Sequence, residues 1–267
     1  MILWQVLLLS VIQGLAELLP ISSSAHVVVA EKIMGLDPSS PELTLLLVML
    51  HTGTMIAVIA YFWRQWRAGY QLRTWSLIVA STAVTGILGE ALIKAIERIT
   101  RAEAEQLFGR LDLIAPALAG AGVLILIAGI FARRAGGDVG WSQALLIGAV
   151  QALCLPFRGF SRSGATISSG ILAGVSRRRA EEFSFALAVL LTPAAIAREA
   201  LRLLKSHSGA LAPALLPSLF GAAFAFLAGL VALRWLSRWL ETGRWYLFGI
   251  YCLIAAAAVA TLYRYGY

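Results

Sequence analysis

The chain has 267 residues, of which 60% are apolar and 13% are charged, and its mean hydropathy is +0.81. This composition excludes a disordered chain, a disulfide-rich secreted module and an ordinary soluble enzyme, because an average soluble domain is about half apolar and about a quarter charged. The net charge is +8, and 19 of the 22 basic residues are arginines that stand at the ends of apolar runs. That placement indicates membrane topology signals and excludes a nucleic-acid-binding face, which needs clustered basic and aromatic residues.

Two apolar regions are interrupted by polar stretches, and six others are long enough to cross a bilayer. The first interrupted region covers residues 2–19 and 25–36, and the second covers 141–155 and 164–175. Each half is too short to cross alone, so each pair predicts a re-entrant helical hairpin with a polar tip. The six predicted transmembrane helices cover residues 43–62, 74–95, 113–132, 183–204, 213–236 and 245–263.

The two interrupted regions also resemble each other. Gln13 and Gln151 are 138 residues apart, and Ser22 and Ser161, each of which follows a proline within a few residues, are 139 apart. Several such matches in order indicate an internal duplication. We therefore predict one integral membrane domain over residues 1–267, with repeat halves over 1–110 and 137–267.

The distribution of charge predicts how the halves are oriented. With six spans and two hairpins, four arginine-rich segments fall on one face, which the positive-inside rule makes cytoplasmic. These segments are residues 64–73, 133–134, 177–179 and 234–244, while the acid-rich loop 97–112 falls on the other face. The predicted fold is therefore all-α, with the two hairpins entering from opposite sides as an inverted-topology repeat whose tips meet near the midplane.

The first hairpin carries a carboxylate at an unfavourable depth. Gln13 and Glu17 share a helix face, and a carboxylate in an apolar segment must be paired, protonated or bound to a metal. Glu17 is thus a candidate metal ligand or general acid/base, with a structural ion pair as the alternative. The serines 22–24 are expected to cap the following helix, whose free N–H groups can bind a phosphate.

Two histidines lie near this tip in the sequence. His26 follows Ser23 by three residues, which suits a hydroxyl–imidazole pair or an imidazole that attacks or shuttles protons. His51 and Thr52 lie deep in the span 43–62, where they either line the same cavity or pack helices together.

The second tip combines an arginine with hydroxyl groups. Arg162 at membrane depth demands an anionic partner, either Glu17 or a ligand phosphate, and its planar fork suits a phosphate. Ser163 and Thr166 share one face of the helix start, and Gly164 allows close backbone approach. Together the tips predict a phosphoryl-transfer or phosphate-recognition site.

At these residues the sequence resembles the undecaprenyl-diphosphate phosphatase family, also called the bacitracin-resistance protein family. That family carries an (E/Q)xxxE motif, an SS–H segment and a PGxSRSxxT motif. They correspond here to Gln13 through Glu17, Ser22 through His26 and Gly159 through Thr166. The chain departs from the family in two places: Gln13 replaces an acid, which the pattern allows, and Pro156-Phe157-Arg158-Gly159 replaces the compact Pro-Gly.

The resemblance implies a divalent-cation-dependent enzyme, using Mg²⁺ or Ca²⁺, that hydrolyses undecaprenyl diphosphate and recycles the lipid carrier for peptidoglycan synthesis. It implies a multi-pass protein of the bacterial inner membrane, and the predicted entry of the first hairpin from outside places the site toward the outer side. Glu17 and Gln13 would hold the metal, and the nucleophile stays open between His26, Ser23 and metal-bound water. The diphosphate would bind Arg162 with Gln13, Ser161, Ser163 and Thr166.

Two other functions fit parts of the sequence. Inverted repeats with broken helices are typical of transporters, so a lipid-phosphate flippase is one alternative. The other is the class of membrane phosphatases with PSGH and SRxxxxxH motifs, but His207 lies 45 residues beyond Arg162, too far to complete the second motif. The sequence leaves the oligomeric state open, a homodimer included.

Overall fold

The computed structural model describes residues 2–37, 40–69, 71–101, 110–131, 136–205 and 211–266, apart from the side chains at 198–199, 202, 204–205 and 211–212. These residues form ten α-helices and contain no β-strand, with one isolated bridge between Gly137 and Val175. The all-α class is therefore confirmed. The helices are α1 Leu3–Leu18, α2 Ser23–Ile33, α3 Pro41–Gly69, α4 Leu72–Thr100, α5 Leu111–Phe131, α6 Trp141–Leu153, α7 Arg162–Leu172, α8 Arg177–Lys205, α9 Leu211–Glu241 and α10 Tyr246–Arg264.

Six helices are long and apolar enough to cross a membrane, as predicted. They are α3, α4, α5 and α10 together with residues Arg177–Ala197 of α8 and Pro213–Glu241 of α9. Several extend beyond the apolar runs from which they were predicted; α3, for example, has 29 residues. A span needs only about 20 residues, so the ends of these helices reach beyond the hydrocarbon layer.

The two interrupted regions each form a pair of short helices in contact with each other: α1 packs against α2, and α6 against α7. The first break follows from Pro20, because the residue before a proline is driven out of the helical conformation. Leu19 accordingly has extended backbone angles, φ −76° and ψ 151°. The second break runs from Cys154 to Ser161 and includes Pro156.

Close helix packing joins the two halves of the chain. Helix α9 lies against both α1 and α3, α4 lies against α6, and α5 against α10. The approach of α9 requires glycine: a Cβ on Gly14 would lie 2.6 Å from the Ala228 Cβ, and one on Gly53 would overlap the Ala222 carbonyl oxygen. Small residues at such crossings allow the tight packing that holds helices together in lipid.

Three of the four arginine-rich segments lie close together in the structure. Arg177 Nη1 donates to the Leu240 carbonyl at 3.4 Å, and Arg179 lies beside Gly69 at the end of α3. Arg179 Nε is also 3.6 Å from Asp138 Oδ1, in the segment before α6. The fourth segment, Arg133 and Arg134, lies outside the described residues, as do His207 and residues 102–109 of the acid-rich loop 97–112.

Candidate active site

An ion pair connects the tips of the two helix pairs. Glu17 stands in the last turn of α1, and Arg162 is the first residue of α7. Arg162 Nη2 donates to Glu17 Oε1 at 2.8 Å, and each side chain is 18% exposed. Glu17 is therefore the anionic partner that an arginine at this depth requires.

The second carboxylate oxygen of Glu17 accepts two further hydrogen bonds. The Ser23 hydroxyl donates to Glu17 Oε2 at 2.5 Å, and Gln13 Nε2 donates to the same oxygen at 3.2 Å. The break after α1 makes this contact, because it turns the start of α2 back onto the end of α1. Four predicted site residues, Gln13, Glu17, Ser23 and Arg162, thus form one hydrogen-bonded cluster.

The remaining hydroxyl groups of the second tip hold α7 in place. Ser161 caps α7 by accepting from the Gly164 N–H at 3.2 Å, and Ser163 donates to the Leu19 carbonyl oxygen at 3.2 Å. Thr166 donates to the Arg162 carbonyl oxygen at 2.8 Å and lies 2.6 Å from Ser184 Oγ. Ser163 and Thr166 therefore already bond to protein groups that position the start of α7.

His26 lies apart from the Glu17 cluster in its hydrogen bonding. Its Nδ1 is 2.7 Å from the Ser22 carbonyl oxygen, and its Nε2 is 2.7 Å from the Tyr251 hydroxyl. The predicted Ser23–His26 pair is absent from the hydrogen bonds of the described residues, since the Ser23 hydroxyl bonds to Glu17. The expected side-chain cap of α2 was also wrong: Ser22 occupies the N-cap position without capping and instead lies 3.3 Å from Ser24 Oγ.

A small cleft opens beside the ion pair. It is lined by the two charged residues and by side chains of α1, α3 and α8, namely Leu18, Thr54, Met55, Val58, Ala188, Val189 and Thr192. His51 lies on the same face of α3 as these lining residues, one turn before Thr54, and its Nδ1 bonds to the Leu47 carbonyl oxygen at 2.8 Å. Thr52 instead donates to the Val48 carbonyl oxygen of its own helix.

One group of the ion pair has no partner. Arg162 Nη1 is buried and makes no hydrogen bond to the residues that the structure describes, although a guanidinium presents five donors. A buried polar atom without a partner is costly, and in a native structure it calls for an explanation, of which a bound ion or ligand is one. The cleft therefore presents an unsatisfied cationic donor suited to an anionic oxygen.

The residues around Glu17 also bear on metal binding. The cluster offers the carboxylate of Glu17, the amide of Gln13 and the hydroxyl of Ser23, and Mg²⁺ and Ca²⁺ prefer such oxygen ligands. Among the described residues, no group of three His, Cys, Asp or Glu side chains is placed to hold a metal. The cluster thus fits a cation that takes its other ligands from water or a bound phosphate, the usual arrangement for Mg²⁺.

The sequence did not single out several residues that shape this site. Ser184 in α8 contacts Thr166, Tyr251 in α10 contacts His26, and Cys252 donates to the Pro20 carbonyl oxygen at 3.4 Å. For Thr192 a signal existed, since it lies 140 residues after Thr52, close to the offsets of 138 and 139 residues between the two interrupted regions. Tyr251 carries no such signal, because an aromatic residue in an apolar helix is normally a packing residue.

Comparison with known proteins shows one consistent relationship. The family model described as "Bacitracin resistance protein BacA" matches residues 6–258. The chain is 56% identical to "Undecaprenyl-diphosphatase 2" of Acinetobacter baylyi, over 97% of this chain and 98% of that protein. It is 34% identical to "Undecaprenyl-diphosphatase 2" of Burkholderia ambifaria and 33% identical to "Undecaprenyl-diphosphatase" of Rhodopirellula baltica. Those two alignments cover 96% and 97% of this chain, and 95% and 97% of the relatives.

Proposed function

Because the chain belongs to the bacitracin resistance protein BacA family, we propose that it is an undecaprenyl-diphosphate phosphatase of the bacterial inner membrane. It hydrolyses undecaprenyl diphosphate to undecaprenyl phosphate and inorganic phosphate, and so returns the lipid carrier to peptidoglycan synthesis. The six apolar helices suit a substrate whose polyprenyl chain must stay in lipid.

The observation that carries this proposal for the site is the unpartnered Nη1 of Arg162 beside Glu17 and Ser23. A phosphate oxygen bound at Nη1 would complete the hydrogen bonding of the guanidinium. The start of α7 adds backbone N–H groups that favour an anion at the same place. The terminal phosphate would then lie near the Ser23 hydroxyl.

The hydrogen bond between Ser23 and Glu17 supports Ser23 as the nucleophile, since a hydroxyl is activated by an adjacent base. In this mechanism Ser23 Oγ attacks the terminal phosphorus while its proton passes to Glu17 Oε2. The bond between that phosphorus and the bridging oxygen breaks, and undecaprenyl phosphate leaves. Water then attacks the phosphoserine, the bond between phosphorus and Ser23 Oγ breaks, and Glu17 returns its proton to that oxygen, so that inorganic phosphate is released and both residues are restored.

Arg162 stabilises the charge that develops on the transferred phosphate, an effect that is strong in a site shielded from water. We place a divalent cation at Glu17 and Gln13, where it would neutralise diphosphate charge. Gln13 also orients the carboxylate through its hydrogen bond to Oε2.

The architecture that we propose around this site is an inverted repeat with two re-entrant hairpins. The packing supports it, because α1 lies against α9 and α6 lies against α4, and these are corresponding pairs when α1–α5 is aligned with α6–α10. The proximity of the arginine-rich segments supports one cytoplasmic face for them. The first hairpin would then enter from the outer face, where the diphosphate product of polymer synthesis is released.

Phosphate release from undecaprenyl diphosphate by the purified protein in detergent tests the activity. An enzyme releases phosphate when a divalent cation is present and stops in EDTA. A flippase, the competing function, would bind the lipid and release none.

A further inference from the structure

Both ring nitrogens of His26 are held by hydrogen bonds, and one of the partners comes from the far end of the chain. Nδ1 is 2.7 Å from the Ser22 carbonyl oxygen, and Nε2 is 2.7 Å from the hydroxyl of Tyr251 in α10. The two rings are also stacked, with centroids 5.7 Å apart and planes inclined by 12°. The position, plane and tilt of the imidazole are therefore all fixed.

These contacts select one tautomer of the imidazole. A carbonyl oxygen can only accept, so Nδ1 carries the proton and donates to Ser22. Nε2 of the neutral ring is then the acceptor, and the Tyr251 hydroxyl donates to it. A phenol can also accept a hydrogen bond, so the same partner can support the ring once Nε2 has gained a proton.

The backbone contributes to this arrangement at Ser22. Its φ is +67°, a left-handed conformation that is unfavourable for a residue other than glycine. In this conformation the Ser22 carbonyl accepts from both the His26 backbone N–H at 3.4 Å and the ring Nδ1. Unfavourable backbone angles persist only where the surrounding structure imposes them, and they concentrate at functional sites.

Helix α10 supports the first tip at two successive residues. Next to Tyr251, the buried thiol of Cys252 donates to the Pro20 carbonyl oxygen at 3.4 Å. The face of α10 that carries these residues thus holds both the break after α1 and the first turn of α2. Tyr251 itself is 43% exposed, so burial of the ring alone does not account for its contact with His26.

From this geometry we infer that Tyr251 is a positioning residue for the reaction. It fixes His26 in the Nδ1–H tautomer and holds the imidazole in one orientation through the hydrogen bond at Nε2. The inference rests on the proposed function and adds to it a role for His26, to which the mechanism through Ser23 and Glu17 assigns no step. Tyr251 acts only through the imidazole and does not touch the substrate.

A double-mutant cycle on phosphate release tests the inference. Tyr251→Phe keeps the ring and removes the hydroxyl, and we expect kcat to fall roughly tenfold with KM unchanged, as for loss of one hydrogen bond. In a His26→Asn background the same change should have no further effect, because residues that act through one another are non-additive. Tyr246→Phe, on the same helix and similarly exposed at 39%, is the matched control and should leave kcat unchanged. An unchanged kcat for Tyr251→Phe, or equal losses in both backgrounds, would overturn the inference.

Nitrogen NMR of histidine-labelled protein provides a readout that does not depend on turnover. The wild type should show His26 as the Nδ1–H tautomer with a hydrogen-bonded Nε2, and Tyr251→Phe should shift the Nε2 resonance alone. His26→Asn assigns the signal. A resonance that Tyr251→Phe leaves in place would contradict the inference even if activity fell. Absence of phosphate release by the wild type would count against the proposed function, whereas the NMR result would still report on Tyr251.

Discussion

Arg162 Nη2 lies 2.8 Å from Glu17 Oε1, although 145 residues separate the two in the sequence. The pair joins the end of α1 to the start of α7, so the charged groups of both broken regions meet at one point. The Ser23 hydroxyl and the Gln13 amide bond to the same carboxylate. Removal of either charge should therefore affect both the stability of the tips and the binding of a phosphate.

Arg162→Ala should reduce kcat/KM for phosphate release by about 10²–10³-fold, because it removes a preorganised donor to the transferred phosphate. Arg162→Lys should recover only part of the loss, since a point charge cannot reproduce the two-donor fork. Steady-state kinetics on the purified variants measure both effects.

Arg158→Ala is the matched control for this experiment. Arg158 lies in the same tip, four residues earlier, but its side chain is exposed and is not part of the Glu17 cluster. We expect near wild-type kinetics for this variant. If Arg162→Ala were equally active, the assignment of the site would be wrong.

Glu17→Gln should lower turnover by about 10²–10⁴-fold, the usual contribution of a general base, because an amide cannot take the Ser23 proton. It should also weaken the apparent affinity for Mg²⁺ or Ca²⁺, since an amide oxygen is a poorer ligand than a carboxylate. Gln13→Ala should cost less in both respects. Titration of activity with the cation measures the difference, and activity of both variants in EDTA would contradict a metal at this place.

Gln13→Glu tests the metal site by a measurement other than activity. The new carboxylate would lie beside Glu17 Oε2, which now accepts from Gln13 at 3.2 Å, and two like charges at that distance repel each other. The melting temperature should therefore fall in EDTA and recover on addition of Mg²⁺ or Ca²⁺. A melting temperature that does not respond to the cation would argue against coordination by residues 13 and 17.

The helices and their breaks could be predicted from the sequence because lipid imposes strong rules. A span requires about 20 apolar residues, and an interrupted apolar run with a proline cannot continue as one helix. The residues at which the helices begin and end were less predictable. Helix α8 begins at Arg177 among three arginines, where Glu182 is paired with Arg178 at 3.0 Å and with Arg179 at 3.1 Å. Hydropathy does not register such pairing.

The site could be predicted only in part. Glu17 and Arg162 could be paired in advance, because each is an isolated charge at membrane depth and each needs a partner. The partners of His26 could not, since Tyr251 is 225 residues away and the Ser22 carbonyl is directed by an unusual φ. The spacing of three residues suggested Ser23 as the partner of His26. The break after α1 instead places the Ser23 hydroxyl against Glu17, to which it donates a hydrogen bond.

The orientation in the membrane can be tested by thiol labelling of single cysteines at Arg101 and Arg178, with Cys154 and Cys252 replaced. Arg101 ends α4, and Arg178 lies among the arginines at the start of α8. An impermeant reagent added to intact cells should modify position 101 and leave position 178 unmodified. Both chain termini, which lie outside the described residues, should then be on the outer side with position 101. The reverse labelling would overturn the topology and the case for action on the outer face.

The most direct test of the account compares phosphate release from undecaprenyl diphosphate by the wild type and by Ser23→Ala. Ser23 bonds to Glu17 at 2.5 Å, and in the proposed mechanism its hydroxyl attacks the phosphorus next to Arg162. We predict that the wild type releases one phosphate per lipid in the presence of Mg²⁺ or Ca²⁺, and that Ser23→Ala binds the lipid but releases almost none. Turnover by Ser23→Ala at the wild-type rate would contradict the mechanism, and lipid binding without phosphate release by the wild type would contradict the assignment as a phosphatase.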